Sequence, residues 1–271
     1  MSVIRLGSIG DSVKELERLL AAQGFKVKED AIFEADTERA VKAWQRRTGL
    51  VVDGLAGPKT LDTLRRRTRN PKLLTQRDID RAAQQLGVPV ASIMAVNEVE
   101  SRGAGYFEDG RPVILFERHI MYRRLKAAGY NADDLNVKYP RLVNKLPGGY
   151  RGGWPEYTRL KSAQTIDHDI ALESASWGQY QIMGYHWQAL GYASVQAFVE
   201  AMHASESEHL AAFVRFIEAD PALHKALKSK KWAEFAKIYN GPAYKQNLYD
   251  IKLARAFERY AELDETAEQA A

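Results

Sequence analysis

The sequence predicts a mainly α-helical protein of two domains, a small one of three helices followed by a larger helical one. Apolar residues recur at helical intervals, with capping residues before them and glycines after. The charge balance also shifts along the chain. Residues 1–75 hold 15 Lys+Arg against 10 Asp+Glu, leaving 24 against 25 from the totals of 39 and 35. Finally, 271 residues with 45% hydrophobic positions suffice for more than one core. The division falls at Arg65-Arg66-Arg67-Thr68-Arg69-Asn70-Pro71-Lys72, where Pro71 pushes its predecessor out of helical geometry. It gives a first domain at 1–66, a linker at 67–77 and a second domain at 78–271. The basic run reads either as a solvated helix end, favoured by the helix dipole, or as a patch that meets substrate.

Each element follows from local chemistry. Asp11 or Ser12 can cap a first helix carrying Val13, Leu16, Leu19 and Leu20, which Gly24 closes. Asp36 or Thr37 opens a second, with Ala40, Val41, Trp44 and Gln45, ended near Gly49. Gly57-Pro58 leads into a third through Leu61 and Leu64, proline being suited to a first helical turn. Two turns echo each other: Asp30 to Thr37 lines up with Asp53 to Thr60, each led by Asp and followed by a helix start. Beyond the linker, Thr75-Gln76-Arg77-Asp78 reads as a cap for Ile79, Ala82, Ala83 and Leu86, and Pro89 starts the next helix. The stretch 138–157, rich in Gly, Pro and Tyr, reads as a long surface loop of the kind that often carries function. Helices are expected near 159–173, 185–191, 194–204, 207–219, 221–229, 231–239 and 243–263, with a frayed tail at 264–271.

Composition removes several function classes. A net charge of +4 is too weak to argue for nucleic acid, though it suits an anionic polymer as substrate. The absence of Cys excludes disulfide scaffolds, Cys-ligated zinc and thiol nucleophiles. The opening MSVIRLGSIGDSVKELE lacks a signal-peptide core, and no apolar run of ~18 residues occurs. The chain is therefore expected to be made soluble, without stable membrane insertion. Asp167-His168-Asp169 reads as a solvated turn rather than a metal site, and no metal or cofactor is expected. No Ser/His/Asp arrangement or phosphate-cradling Gly loop stands out, and His119 and His186 read as core or surface residues.

The informative helix runs from Pro89 to Ser101. At ~100° per residue, Val90, Ile93, Val96 and Glu100 share one stripe, with Asn97 its other polar member. Burial of a carboxyl there raises its pKa, which is what a general acid for glycosidic cleavage requires. Gly103 and Gly105 follow, so a groove can open at the helix end. A paired structural carboxylate is the equal alternative. The segment Ser176-Trp177-Gly178-Gln179-Tyr180-Gln181-Ile182-Met183-Gly184 is suited to holding a polar ring, and Tyr239-Asn240-Gly241 offers a phenol and an amide. Tyr150, Trp154, Tyr157, Trp177 and Trp187 read as possible walls of a sugar groove, Trp187 equally as core.

Two resemblances follow from these residues. Gly10-Asp11-x-Val13-x-x-Leu16, Gly24-Phe25, Thr37-x-x-Ala40-Val41-x-x-Trp44-Gln45, Gly49-Leu50 and Asp53-Gly54-x-x-Gly57-x-x-Thr60 resemble the three-helix peptidoglycan-binding domain of wall hydrolases. That likeness covers residues 5–65 and implies wall contacts at Asp53, Gly54, Gly57, Thr60 and Trp44, although Trp44 reads more readily as core than as a contact. The first turn departs from it, with Ala31 and Glu34 where that family places glycines, and is expected to be built differently. Glu100-Ser101, the turn ending in Gln181-Ile182 and Tyr239-Asn240-Gly241 look like the three landmarks of the lysozyme-like superfamily. With Val113 to His119 they resemble the N-acetylmuramidase domain of phage endolysins, over residues 78–263.

The second resemblance implies a lysozyme-like fold and peptidoglycan as partner. It makes Glu100 the catalytic acid, with Ser101, Gln181, Tyr239, Asn240 and Trp177 meeting substrate. Glu117 is the candidate for activating water in an inverting hydrolysis, against an ion pair with an arginine, and Asp109 and Glu98 are the fallbacks. The implied reaction is hydrolysis between N-acetylmuramic acid and N-acetylglucosamine, leading to cell lysis. Its rivals are a lytic transglycosylase and a non-enzymatic wall-binding protein. A monomer is expected, made in the host cytoplasm and released to the wall by a separate permeabilising partner, its first domain tethering the second to the polymer.

Overall fold

The computed structural model describes residues 3–101 and 104–268; Gly103 and positions 269–271 of the expected frayed tail lie outside the described residues. Three helices, α1 (Asp11–Ala21), α2 (Ala35–Thr48) and α3 (Pro58–Arg66), form the first unit. They close over Val13, Leu16, Leu20, Phe33, Val41, Trp44, Leu61 and Leu64. Their N-caps are Gly10, Glu34 and Gly57, none using a side chain, so Asp11 and Asp36 fall inside the first turns instead. There the helix dipole favours their charge. Gly49 ends α2 in the left-handed conformation.

The expectation of a differently built first turn is overturned. Ala31 adopts φ 66°, close to the 73° of Gly54 in the echoing turn. The fully buried Glu17 holds it there, accepting the Ala31 N–H at 2.9 Å. An L side chain in this region costs about 1–2 kcal/mol. Ala31→Gly is therefore expected to raise stability by about 0.5–1 kcal/mol, since glycine's larger unfolded-state entropy offsets part of the relief. An unchanged or lower urea midpoint would contradict this account of the turn.

The larger unit begins with α4 (Gln76–Leu86), whose Thr75–Asp78 capping box forms in both directions. Next come α5 (Val90–Glu100), β1 (Ile114–Phe116), α6 (Arg118–Ala127), α7 (Ala132–Lys138), α8 (Pro155–Gln164) and α9 (His168–Glu173). The strands β2 (Ala175–Trp177) and β3 (Ile182–Met183) lead to a short 3-10 turn at Gly184–His186. The chain then forms α10 (Val195–Ala204), α11 (Glu206–Ala219), α12 (Pro221–Lys228) and α13 (Trp232–Asn240), a 3-10 turn at Pro242–Asn247 and α14 (Tyr249–Glu268).

Several expectations need correction. One helix at 159–173 is two, α8 and α9, and the helix expected at 185–191 is only the 3-10 turn at its start. Helix α14 continues through 264–268, which were expected to fray. The helices α6 and α7 and the antiparallel sheet β1-β2-β3 had no counterpart in the sequence reading. Strands of two or three residues are too short for an alternating pattern to stand out. Helix α5 is not striped: Ala91 to Val96 are all buried, because α4 and α14 both pack against it. A helix enclosed on all sides is apolar all round.

The units are joined by charge. Lys59 Nζ lies 2.8 Å from Glu206, a carboxylate only 1% exposed, which also accepts the backbone N–H groups of Leu74 and Gly105. The basic run is partly used in the same region. Arg66 pairs with Asp62, Arg69 donates to the Leu73 carbonyl, and Lys72 donates to the His203 carbonyl.

Candidate active site

Helix α5 delivers Glu100 at its C-terminal end, into a cleft of about 460 Å³. Ser101, Tyr180, Gln181, Met183, Tyr185, His186, Phe216, Tyr239, Asn240 and Tyr249 line the same cleft. Burial pushes the Glu100 carboxyl up to about 7 against a single opposing contact, the Asn240 side-chain amide donating to Oε1 at 2.9 Å. The helix C-terminus, carrying partial negative charge, disfavours ionisation further. A neutral, oriented carboxylic acid facing a cleft can give up a proton at neutral pH.

The β2–β3 turn is fixed to α5 and α13. Asn97 Oδ1 accepts from Gln179 Nε2 at 3.1 Å and from the Tyr180 hydroxyl at 2.7 Å. The Tyr239 hydroxyl donates to the Tyr180 carbonyl at 2.9 Å. Gly178 must be glycine here: its φ is 72°, and a Cβ would lie 2.8 Å from the His209 ring. Gln181 lines the cleft, yet its side-chain amide is committed to the turn, donating to Gly178 and Val113 carbonyls and accepting from Ser176. Thus Glu100, Ser101, Gln181, Tyr239 and Asn240 come together, as the resemblance implied.

Other expected site residues do not join them. Trp177 is 1% exposed and its indole donates to the Leu172 carbonyl, so it packs the core and cannot meet sugar. Glu117 does not line the cleft: it caps α6, accepts the Tyr150 hydroxyl at 2.7 Å and sits 3.1 Å from His119 Nδ1. Glu98 faces α14, where Arg259 and the Tyr260 hydroxyl bind it, and Asp109 is an exposed partner of Arg111. Tyr150, Trp154, Tyr157 and Trp187 lie outside the cleft as well. Asp167 caps α9 and its neighbours His168 and Asp169 pair with each other.

The motif expected to touch the wall instead builds its own domain. Trp44 is 2% exposed and donates to Thr63. Gln45 bridges Asp53 and the Leu55 carbonyl and accepts the Gly54 N–H, while Thr60, also buried, donates to Leu55. Burial pushes the Asp53 carboxyl up to about 6. Gly57 is the N-cap of α3. Such motifs are legible because they fix the turn, and a turn-fixing side chain points inward.

Tyr185, His186, Phe216 and Tyr249 were not singled out as cleft residues. Burial lowers the His186 pKa, which keeps its imidazole neutral at pH 7. Only Tyr185 and His186 carried a signal, being adjacent to the Gln181-Ile182 turn.

Comparison with known proteins finds matches over both units. The family model for a peptidoglycan binding domain matches residues 9–64, and that for N-acetylmuramidase matches residues 89–261. The crystal structure of Burkholderia AP3 phage endolysin superposes with a TM-score of 0.92 at 56% identity, over 96% of this chain and 100% of that one. The N-acetylmuramoyl-L-alanine amidase CwlL of Bacillus licheniformis is 39% identical over 62 residues, 22% of this chain and 17% of that protein. The chain thus spans less than a fifth of that relative's length. With well over half of its residues matched, the chain belongs to the N-acetylmuramidase family: it is a glycoside hydrolase of peptidoglycan with a peptidoglycan-binding domain ahead of the enzyme.

Proposed function

We propose that this protein is an endolysin that cleaves the glycan strand between N-acetylmuramic acid and N-acetylglucosamine, with Glu100 as general acid. The observation that carries this reading is the neutral Glu100 carboxyl, raised to about 7 and oriented by Asn240 in a cleft lined by tyrosines. Glu100 protonates the glycosidic oxygen as the bond to the anomeric carbon breaks. Asn240 then stabilises the carboxylate left behind, because a hydrogen bond donated to it favours the charged form. Water adds to the anomeric carbon and its proton returns to Glu100. Tyr239, Ser101 and Gln181 hold the sugar and the turn beside it.

The 1–66 unit supplies wall affinity and 78–271 the chemistry, joined through 67–77. The protein works as a monomer, made in the host cytoplasm and acting on the wall after release.

One observation favours a second reading. Among the described residues Glu100 is the sole carboxylate lining the cleft, so no second carboxylate stands ready to activate water. A lytic transglycosylase needs none, since the sugar's own hydroxyl attacks and closes an anhydro ring. Mass spectrometry of fragments released from purified sacculi separates the two. Reducing muramic ends, heavier by one water than anhydro ends, are expected; predominantly anhydro ends would overturn hydrolysis.

A further inference from the structure

A second cavity, of about 660 Å³, shares no lining residue with the Glu100 cleft. Its walls come from the end of α7, the 139–154 loop and the start of α8. Arg159 lines it, and the buried Glu156, 2.6 Å from Arg159, accepts the N–H groups of Arg151, Gly152 and the β1 residue Phe116. That pair cancels its own charge. Lys138, Arg141 and Arg151 then stand exposed around the cavity with no ion-pair partner among the described residues. Trp154, 61% exposed, and Tyr139 add flat faces between these cations. Among the described residues no carboxylate lines the cavity. Unpaired cations gathered in one place are notable in a chain whose residues 76–271 as a whole balance at 24 positive and 25 negative side chains.

We infer that this cationic, aromatic cavity is a subsite for the acidic stem peptide of peptidoglycan, distinct from the cleft that cuts the glycan. The inference rests on peptidoglycan being the substrate. Its stem peptides carry carboxylates on short apolar backbones, matching three guanidinium and ammonium groups around an indole. The subsite would select polymer that still carries its peptides.

The test uses the full chain and a synthetic stem tetrapeptide of L-Ala, D-Glu, a diamino acid and D-Ala, free of sugar. Saturable movement of the Trp154 indole NMR signal is expected, weakened about fivefold or more in Arg141→Gln/Arg151→Gln, two exposed charge contacts being lost. On peptide-bearing sacculi the double variant should show a KM about fivefold higher at unchanged kcat. On glycan strands stripped of peptide by an amidase it should match the parent. No Trp154 response to the peptide, a response to chito-oligosaccharide alone, or an equal KM rise on stripped glycan would each overturn the subsite. Failure of the hydrolase reading shows differently, as a Glu100→Gln protein that still clears walls while its peptide titration is untouched.

Discussion

Glu100→Gln is expected to reduce turnover on purified sacculi by about 10³-fold, near the middle of the range for removing a general acid. Gln keeps an oxygen to accept from Asn240, so the cleft should stay assembled and substrate binding should change little. The same substitution should alter stability in the opposite sense. The folded-state pKa of about 7 lies above the ordinary 4.5, so the protonated carboxyl stabilises the fold fully below pH 4.5. That contribution is lost as pH rises through 7. Gln carries no such penalty, so the variant should gain about 2–3 kcal/mol on the parent between pH 4 and pH 8. Activity of the parent should decline on the alkaline side with a midpoint near 7 for the same reason. Stopped-time turnover assays and urea titrations at the two pH values check both halves. Near-normal turnover, or a pH-independent stability difference, would remove Glu100 from its assigned role.

Glu206→Ala is expected to cost about 3–5 kcal/mol. The carboxylate is almost wholly buried and answers Lys59 from the first domain, Leu74 from the linker and Gly105 from the loop beyond Glu100. Removing it leaves two buried N–H groups without an acceptor and frees the segment that follows α5. Both the urea midpoint and kcat should therefore fall. Lys59→Met tests the other side of the pair and should also destabilise, because it strips a buried carboxylate of its cation. A Glu206→Ala protein within about 0.5 kcal/mol of the parent would mean that this contact does not join the domains.

The three landmark segments were legible because each is short and locally constrained. Glu100-Ser101 ends a helix, Gly178 to Ile182 is a tight turn, and Tyr239-Asn240-Gly241 ends another helix. Residue type and chain position suffice to mark such places. Trp177 misled for a related reason: an aromatic beside a functional turn can pack beneath it as readily as line it, and its indole found a partner in the core. Glu117 carried the right functional group in the wrong environment, engaged with Tyr150 and His119 rather than open to a sugar.

By itself the sequence determined the helical class, the capping box at Thr75 and the helix that carries Glu100 near its end. Those depend on neighbours within a few positions, where backbone geometry and side-chain type act directly. Only the tertiary structure decided that α5 is enclosed on all sides, that a small sheet carries the Gln181 turn, and that Glu206 joins two domains across 147 positions. The burial that raises the Glu100 pKa, and the Asn240 amide that opposes it, come from parts of the chain that meet only after folding.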